Sequence, residues 1–110
     1  MTDKRIVLST AGSEDEARKI ARHLVEQRLA ACVNLVPRIE SIYRWQGKVE
    51  SSQEWLLVIK TTASRCSAVH ESIGKLHSYD VPECISVVVE GGGEAYLNWI
   101  ADSVDSGGNR

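Results

Sequence analysis

The sequence predicts an α+β domain with the element order β-α-β-β-α-β, a long central hairpin and an extra C-terminal helix. Two amphipathic helical patterns flank a pair of consecutive extended runs. The two most apolar extended runs, 5–10 and 55–61, are the first and the third in chain order. A turn at Gln46-Gly47-Lys48 joins two unusually long extended arms. At 110 residues the chain is one domain, predicted over 1–104, with a polar, glycine-rich tail over 105–110 that is expected to be disordered. Apolar residues at 43% and charged residues at 25% exclude a chain that stays unfolded for lack of a core.

Arg5-Ile6-Val7-Leu8-Ser9-Thr10 reads as a first strand, central and covered on at least one face. Ser13 is an N-cap with Glu16 three residues on, the spacing of a capping box. Glu14, Asp15 and Glu16 suit the positive end of a helix dipole. Ala17, Ile20, Ala21, Leu24 and Val25 form one apolar stripe, which predicts a helix over 13–30. Glu14 with Arg18 and Asp15 with Lys19 are expected as ion pairs on its exposed side.

Cys32 to Val36 is the second strand, and Pro37 marks an edge, bend or bulge because it cannot donate to a ladder. From Ile39 to Trp45 the chain is extended again, with Ile39, Ser41, Tyr43 and Trp45 on one face and Glu40, Ile42 and Arg44 on the other. Ser51-Ser52-Gln53 reads as a bulge or break, and Trp55 to Ile59 as a central strand buried on both faces. A second helix begins near Ser64, with Thr62 as an alternative cap. Cys66, Val69, Ile73 and Leu76 form its stripe, and Gly74 weakens it by ~1 kcal/mol. His77 to Pro82 is a connection, Cys84 to Glu90 the last strand, and Glu94 to Val104 a final helix after Gly91-Gly92-Gly93. Two β-α-β units joined by a hairpin describe the ferredoxin-like arrangement, whose right-handed crossovers put strands one and three in the middle of the sheet.

The hairpin predicts self-assembly. Arms 32–46 and 48–61 reach roughly 45 Å at ~3.3 Å per residue, against a radius of gyration near ~13 Å for a domain of this size. The overhang carries Ile42, Tyr43, Trp45 and Val49, and an isolated ribbon of two strands is marginal in water. Docking on a neighbouring copy, closed into a ring, is the expected outcome. Trp99 is read as a further interface anchor.

Several function classes are set aside. No apolar run is long enough to span a membrane, and the N-terminus has no signal peptide, so the expected compartment is the cytoplasm. A net charge of −2 without a basic run argues against nucleic acid. Cys32, Cys66 and Cys84 lack a CxxC spacing and read as reduced, buried thiols. The glycine run is not a phosphate-binding signature, and no nucleophile–base motif occurs, so the chain is not expected to be an enzyme or to need a cofactor.

Four segments carry a resemblance. Leu29-Ala30-Ala31-Cys32-Val33-Asn34-Leu35-Val36-Pro37, Ser41-Ile42-Tyr43-Arg44-Trp45-Gln46-Gly47-Lys48-Val49-Glu50, Leu76-His77-Ser78-Tyr79-Asp80-Val81-Pro82-Glu83 and Tyr96-Leu97-Asn98-Trp99-Ile100 are similar, in order, to segments of the CutA divalent-cation tolerance proteins. The resemblance spans about residues 5–103. It implies a homotrimer of PII-like architecture and a link to copper and other divalent cations. It also implies an alternative role, a regulatory or scaffold trimer with a small molecule or protein partner in clefts between subunits. The cysteine, histidine and glutamate implicated in metal binding in one branch of that family match Ser9, His77 and Glu83 here. Of these the resemblance implies His77 and Glu83 as the metal-ligating pair, since Ser9 is not a thiolate, and imidazole with carboxylate suits Cu(II) or Zn(II) better than Cu(I). Ser78 stands where the family usually has proline, which predicts a looser connection, and Asp80 where it usually has glutamate. Cys84 is a candidate substitute ligand; Cys66 and His70 share a helix face but read as core and flank.

Overall fold

The computed structural model describes residues 1–104; the tail expected over 105–110 lies outside them. The elements are β1 (Lys4–Ala11), α1 (Glu14–Glu26), β2 (Cys32–Trp45), β3 (Lys48–Thr62), α2 (Cys66–Leu76), β4 (Ile85–Val88) and α3 (Glu94–Ser103), with a single 3-10 turn, Ala63–Arg65, before α2. The four strands form one antiparallel sheet in the order β2-β3-β1-β4, so strands one and three are central as predicted.

The core lies on one face of this sheet. Val7 and Ala11 of β1 and Leu57 and Ile59 of β3 meet Ala17, Ile20 and Leu24 of α1 and Val69 and Ile73 of α2. Leu97, Ile100 and Val104 make a second, smaller cluster with Ala31, where α3 touches β3 and β1. The other face is only partly covered. Leu56 and Val58 are half-buried there, and Ile85 and Val87 are exposed. Burial of 55–59 on both faces is therefore corrected. Both crossing helices pack on the same side, so alternate residues of β3 are sealed and their neighbours are not.

Several boundaries also move. α1 ends at Glu26 rather than 30, because Arg28 enters the left-handed region (φ 57°) and the Leu29 and Ala30 amides turn back to the Leu24 carbonyl. Val25, the last member of the predicted stripe, is exposed. Of the two expected ion pairs on α1, Arg18 meets Glu14 at 2.8 Å. β3 runs unbroken through Ser51–Gln53. The irregularity sits across from it, between Val36 and Ile39 of β2, with Arg38 at φ 61°. Pro37 has no N–H to give, so β2 absorbs the extra residue. β4 spans four residues rather than seven; beyond it, Val89 bonds Thr2 and Lys4 through its backbone.

The hairpin of β2 and β3 gives the chain a long axis of 44 Å against 27 and 22 Å. Ile42 and Val49 are 69% and 65% exposed, and Tyr43 and Trp45 are also exposed.

Candidate functional site

The connection between α2 and β4 is clasped at its start. Ser13 caps α1 by accepting from the Glu16 amide (3.2 Å). The Glu16 carboxylate does not complete the capping box. It reaches instead to residue 78, accepting from the Ser78 amide (2.6 Å) and the Ser78 hydroxyl (3.0 Å). A serine at this position thus supplies two bonds, and the expected loosening is offset by them.

His77 is sealed inside. Its Nε2 lies 2.6 Å from the Thr10 carbonyl oxygen, which can only accept, and its Nδ1 accepts from the Tyr79 amide (3.1 Å). The network assigns the Nε2–H tautomer. The Glu16 carboxylate lies 3.8 Å from Nδ1, and the Tyr79 ring packs at 4.6 Å between centroids. Both ring nitrogens are therefore in use.

Glu83 is exposed on the same connection, and its backbone carbonyl accepts from the buried Ser9 hydroxyl (2.8 Å). The structure brings Ser9, His77 and Glu83 to the end of β1, but Ser9 meets the backbone of Glu83 rather than its carboxylate. Among the described residues, no group of three or more His, Cys, Asp or Glu side chains is placed to hold a metal ion. Burial first, then Cys66 and Glu83, push the Cys84 thiol up to about 11. His70 and Cys66 do share a face: Ser86 Oγ lies 2.8 Å from His70 Nε2 and 3.7 Å from Cys66 Sγ.

Beyond His77 the chain wraps over Gly12, where a Cβ would stand 2.9 Å from the Tyr79 hydroxyl. It then faces the hairpin across a groove of about 680 Å³. Register puts Ser41, Tyr43 and Trp45 of β2 on one face with Glu50, Ser52 and Glu54 of β3. These residues and Ile42 line one side of the groove, and Thr10, Tyr79, Asp80, Val81 and Glu83 the other. The two sides are joined by the Tyr79 hydroxyl, which donates to Glu54 Oε2 (2.8 Å). Burial, that bond and the Glu54 charge push the Tyr79 phenol up to about 12.

Of the interface residues read from the sequence, Ile42, Tyr43 and Trp45 line this groove, Val49 sits by the hairpin turn, and Trp99 stacks on Tyr96 of α3 at 5.4 Å. Glu50, Glu54 and Tyr79 were not singled out by sequence. Their signal was the alternation Glu50, Ser52, Glu54 opposite Tyr43, which gives one hairpin face a run of acids and rings.

A family model described as CutA1 divalent ion tolerance protein matches residues 5–103. The "Divalent-cation tolerance protein CutA" of Thermus thermophilus is 47% identical over 100 residues, covering 91% of this chain and 97% of that protein. The "Protein CutA, chloroplastic" of Arabidopsis thaliana is 44% identical over 98 residues, and there the match takes in 89% of this chain but only 54% of the relative. The solved structure of the Thermus protein superposes with a TM-score of 0.91 at 46% identity, over 93% of this chain and 99% of that one.

Proposed function

The chain belongs to the CutA1 divalent ion tolerance family, and from that premise we propose that it serves divalent-cation tolerance as a cytoplasmic homotrimer, binding and assembling rather than catalysing. The supporting observation is a pair of exposed apolar patches. One is the hairpin end, with Ile42, Tyr43, Trp45 and Val49. The other is the opposite edge of the sheet, β4, with Ile85, Val87 and Val88. Two different patches favour a head-to-tail contact, and head-to-tail contacts close into rings. β2 and β4 are also the two open edges of the sheet, ready to pair with another chain. No helix among the described residues is long and apolar enough to cross a membrane. Light scattering after size exclusion is expected to give three times 12.1 kDa. A stable monomer overturns the assembly.

Weak binding of Cu(II) or another divalent cation at His77 and Glu83 is the second part of the proposal. The imidazole must surrender its bond to Thr10 or to the Tyr79 amide in order to ligate, which keeps the affinity low. Calorimetric titration with Cu(II) and Zn(II) is expected to show saturable binding that His77→Ala abolishes. No binding by the unmodified chain, or equal binding by the variant, sinks this site. The acid-and-aromatic groove favours a second reading, a PII-like regulatory or scaffold trimer that takes a small molecule.

A further inference from the structure

We propose that Cys66 is a modification site, a thiol linked through Ser86 to the base His70, and that it exchanges with small-molecule disulfides to form a mixed disulfide. This goes beyond the tolerance reading, and it requires neither the trimer nor a metal ion.

Three side chains from two elements form one hydrogen-bonded chain. Cys66 and His70 stand four residues apart on α2, which puts them on one helix face. Ser86 of β4 reaches between them. Its Oγ donates to Cys66 Sγ (3.7 Å) and lies 2.8 Å from His70 Nε2. A serine hydroxyl both donates and accepts, so it can take a proton from one neighbour while giving its own to the other. A thiol and a neutral imidazole become in this way a thiolate and an imidazolium, and the thiolate is the form that attacks disulfides. His70 is exposed, so water can clear the proton that it receives. Cys66 also opens α2, where the helix dipole favours negative charge. Ile85 and Val87, the neighbours of Ser86 in β4, point to the other face of the sheet, so the relay stands on its helical side.

A second thiol points to the kind of electrophile. Cys84 lies two residues before Ser86 and packs with Cys66 against the same core cluster. Both are free and half-buried, and Cys66 is among the groups that push the Cys84 thiol up. A mixed disulfide on one sulfur can be displaced by a thiol, whereas a thioether cannot, so paired thiols suit reversible exchange better than alkylation. In the exchange the Cys66 proton leaves through Ser86 to His70. The sulfur attacks one sulfur of the disulfide, a new S–S bond forms as the old one breaks, and the departing thiolate takes up a proton. Cys66 is oxidised, and one half of the disulfide is reduced to a free thiol.

The test uses the full chain in its solution assembly with 4,4′-dithiodipyridine as the probe. Release of the pyridine thiol gives the rate, and peptide mapping by mass spectrometry assigns it to Cys66, Cys84 or Cys32. Cys66 is expected to react about tenfold or more faster than Cys32, which lies on β2 away from the relay. Ser86→Ala and His70→Gln are each expected to slow Cys66 about tenfold, the low side of general-base effects because the bond to sulfur is long, and to leave Cys32 unchanged. Ser86→Thr keeps the hydroxyl and is expected to restore most of the rate, which a merely structural role for Ser86 would not require. A Cys66 no faster than Cys32 overturns the proposal. So does a Cys66 rate unchanged in both Ser86→Ala and His70→Gln, or one that falls in step with the Cys32 rate.

Discussion

Glu16→Ala tests how the 77–84 connection is held. The Glu16 carboxylate accepts from the Ser78 amide at 2.6 Å and from the Ser78 hydroxyl at 3.0 Å, and its side chain is 15% exposed. A hydrogen bond to an ionised group contributes about 1.5–3 kcal/mol. Ser78 itself is exposed, so the lower figure applies, and two bonds amount to about 3 kcal/mol. Alanine gains a few tenths in helix propensity and loses a similar amount of favourable dipole interaction, so these cancel. For a domain of this length about 4 °C accompanies each kcal/mol, which gives a fall of about 12 °C for Glu16→Ala. Glu16→Gln keeps one acceptor and is expected to lose about half of that; Ser78→Ala, which removes one of the two bonds, is likewise expected to lose about 6 °C. The assay is a thermal melt at one fixed protein concentration, paired with amide hydrogen exchange across 78–83. Faster exchange at Ser78 and Tyr79 in Glu16→Ala is the local signature. A melt within about 1 °C of the unmodified chain, or unchanged exchange at Ser78, refutes the clasp.

Tyr79 offers a pH test. Its phenol is pushed up to about 12 in the folded chain, above the ordinary 10.0, so folding holds the proton. Its stabilising contribution is whole below pH 10.0 and is lost as pH rises toward about 12. Ultraviolet titration should find this midpoint, and it should fall in Glu54→Gln, which removes the charge, and in Gly12→Ala, whose Cβ meets the hydroxyl at 2.9 Å. An unchanged midpoint in both variants contradicts the Tyr79–Glu54 pairing. Leu57→Ala, at a position with no exposure, is expected to cost about 3 kcal/mol in urea denaturation, and a loss under about 1 kcal/mol refutes its placement in the core.

The fold was legible because its signals are local. The α1 stripe, the Ser13 cap and the apolar runs of β1 and β3 each name an element without knowledge of the rest. The errors came where the answer depends on partners distant in sequence. Nothing in Arg28 announces a left-handed helix end, since glycine is the usual sign. Whether Leu56 and Val58 are covered depends on which side both helices choose, and a run of apolar residues does not record that. The hydrogen bonds of the site were less legible. The Thr10 carbonyl that accepts from His77 lies 67 residues away. Glu54 carries no signal in the sequence, because Tyr79, which donates to it, lies 25 residues on.

The irregularity at Pro37–Arg38 has a consequence for how such a chain can change. Val36 stands opposite Leu56, and Ile39 opposite Glu54, so β2 spends one residue more than β3 on that stretch. Without that extra residue bulging out, the face that holds Val36 would continue through Arg38, Glu40, Ile42 and Arg44. With it, the face continues through Ile39, Ser41, Tyr43 and Trp45. The composition of the groove is therefore set by a count. Flattening the bulge by a slip of one residue would put Arg38, Glu40, Ile42 and Arg44 where Ile39, Ser41, Tyr43 and Trp45 now stand. A lineage could in this way change which β2 side chains face its groove through a change of register alone, with every side chain kept.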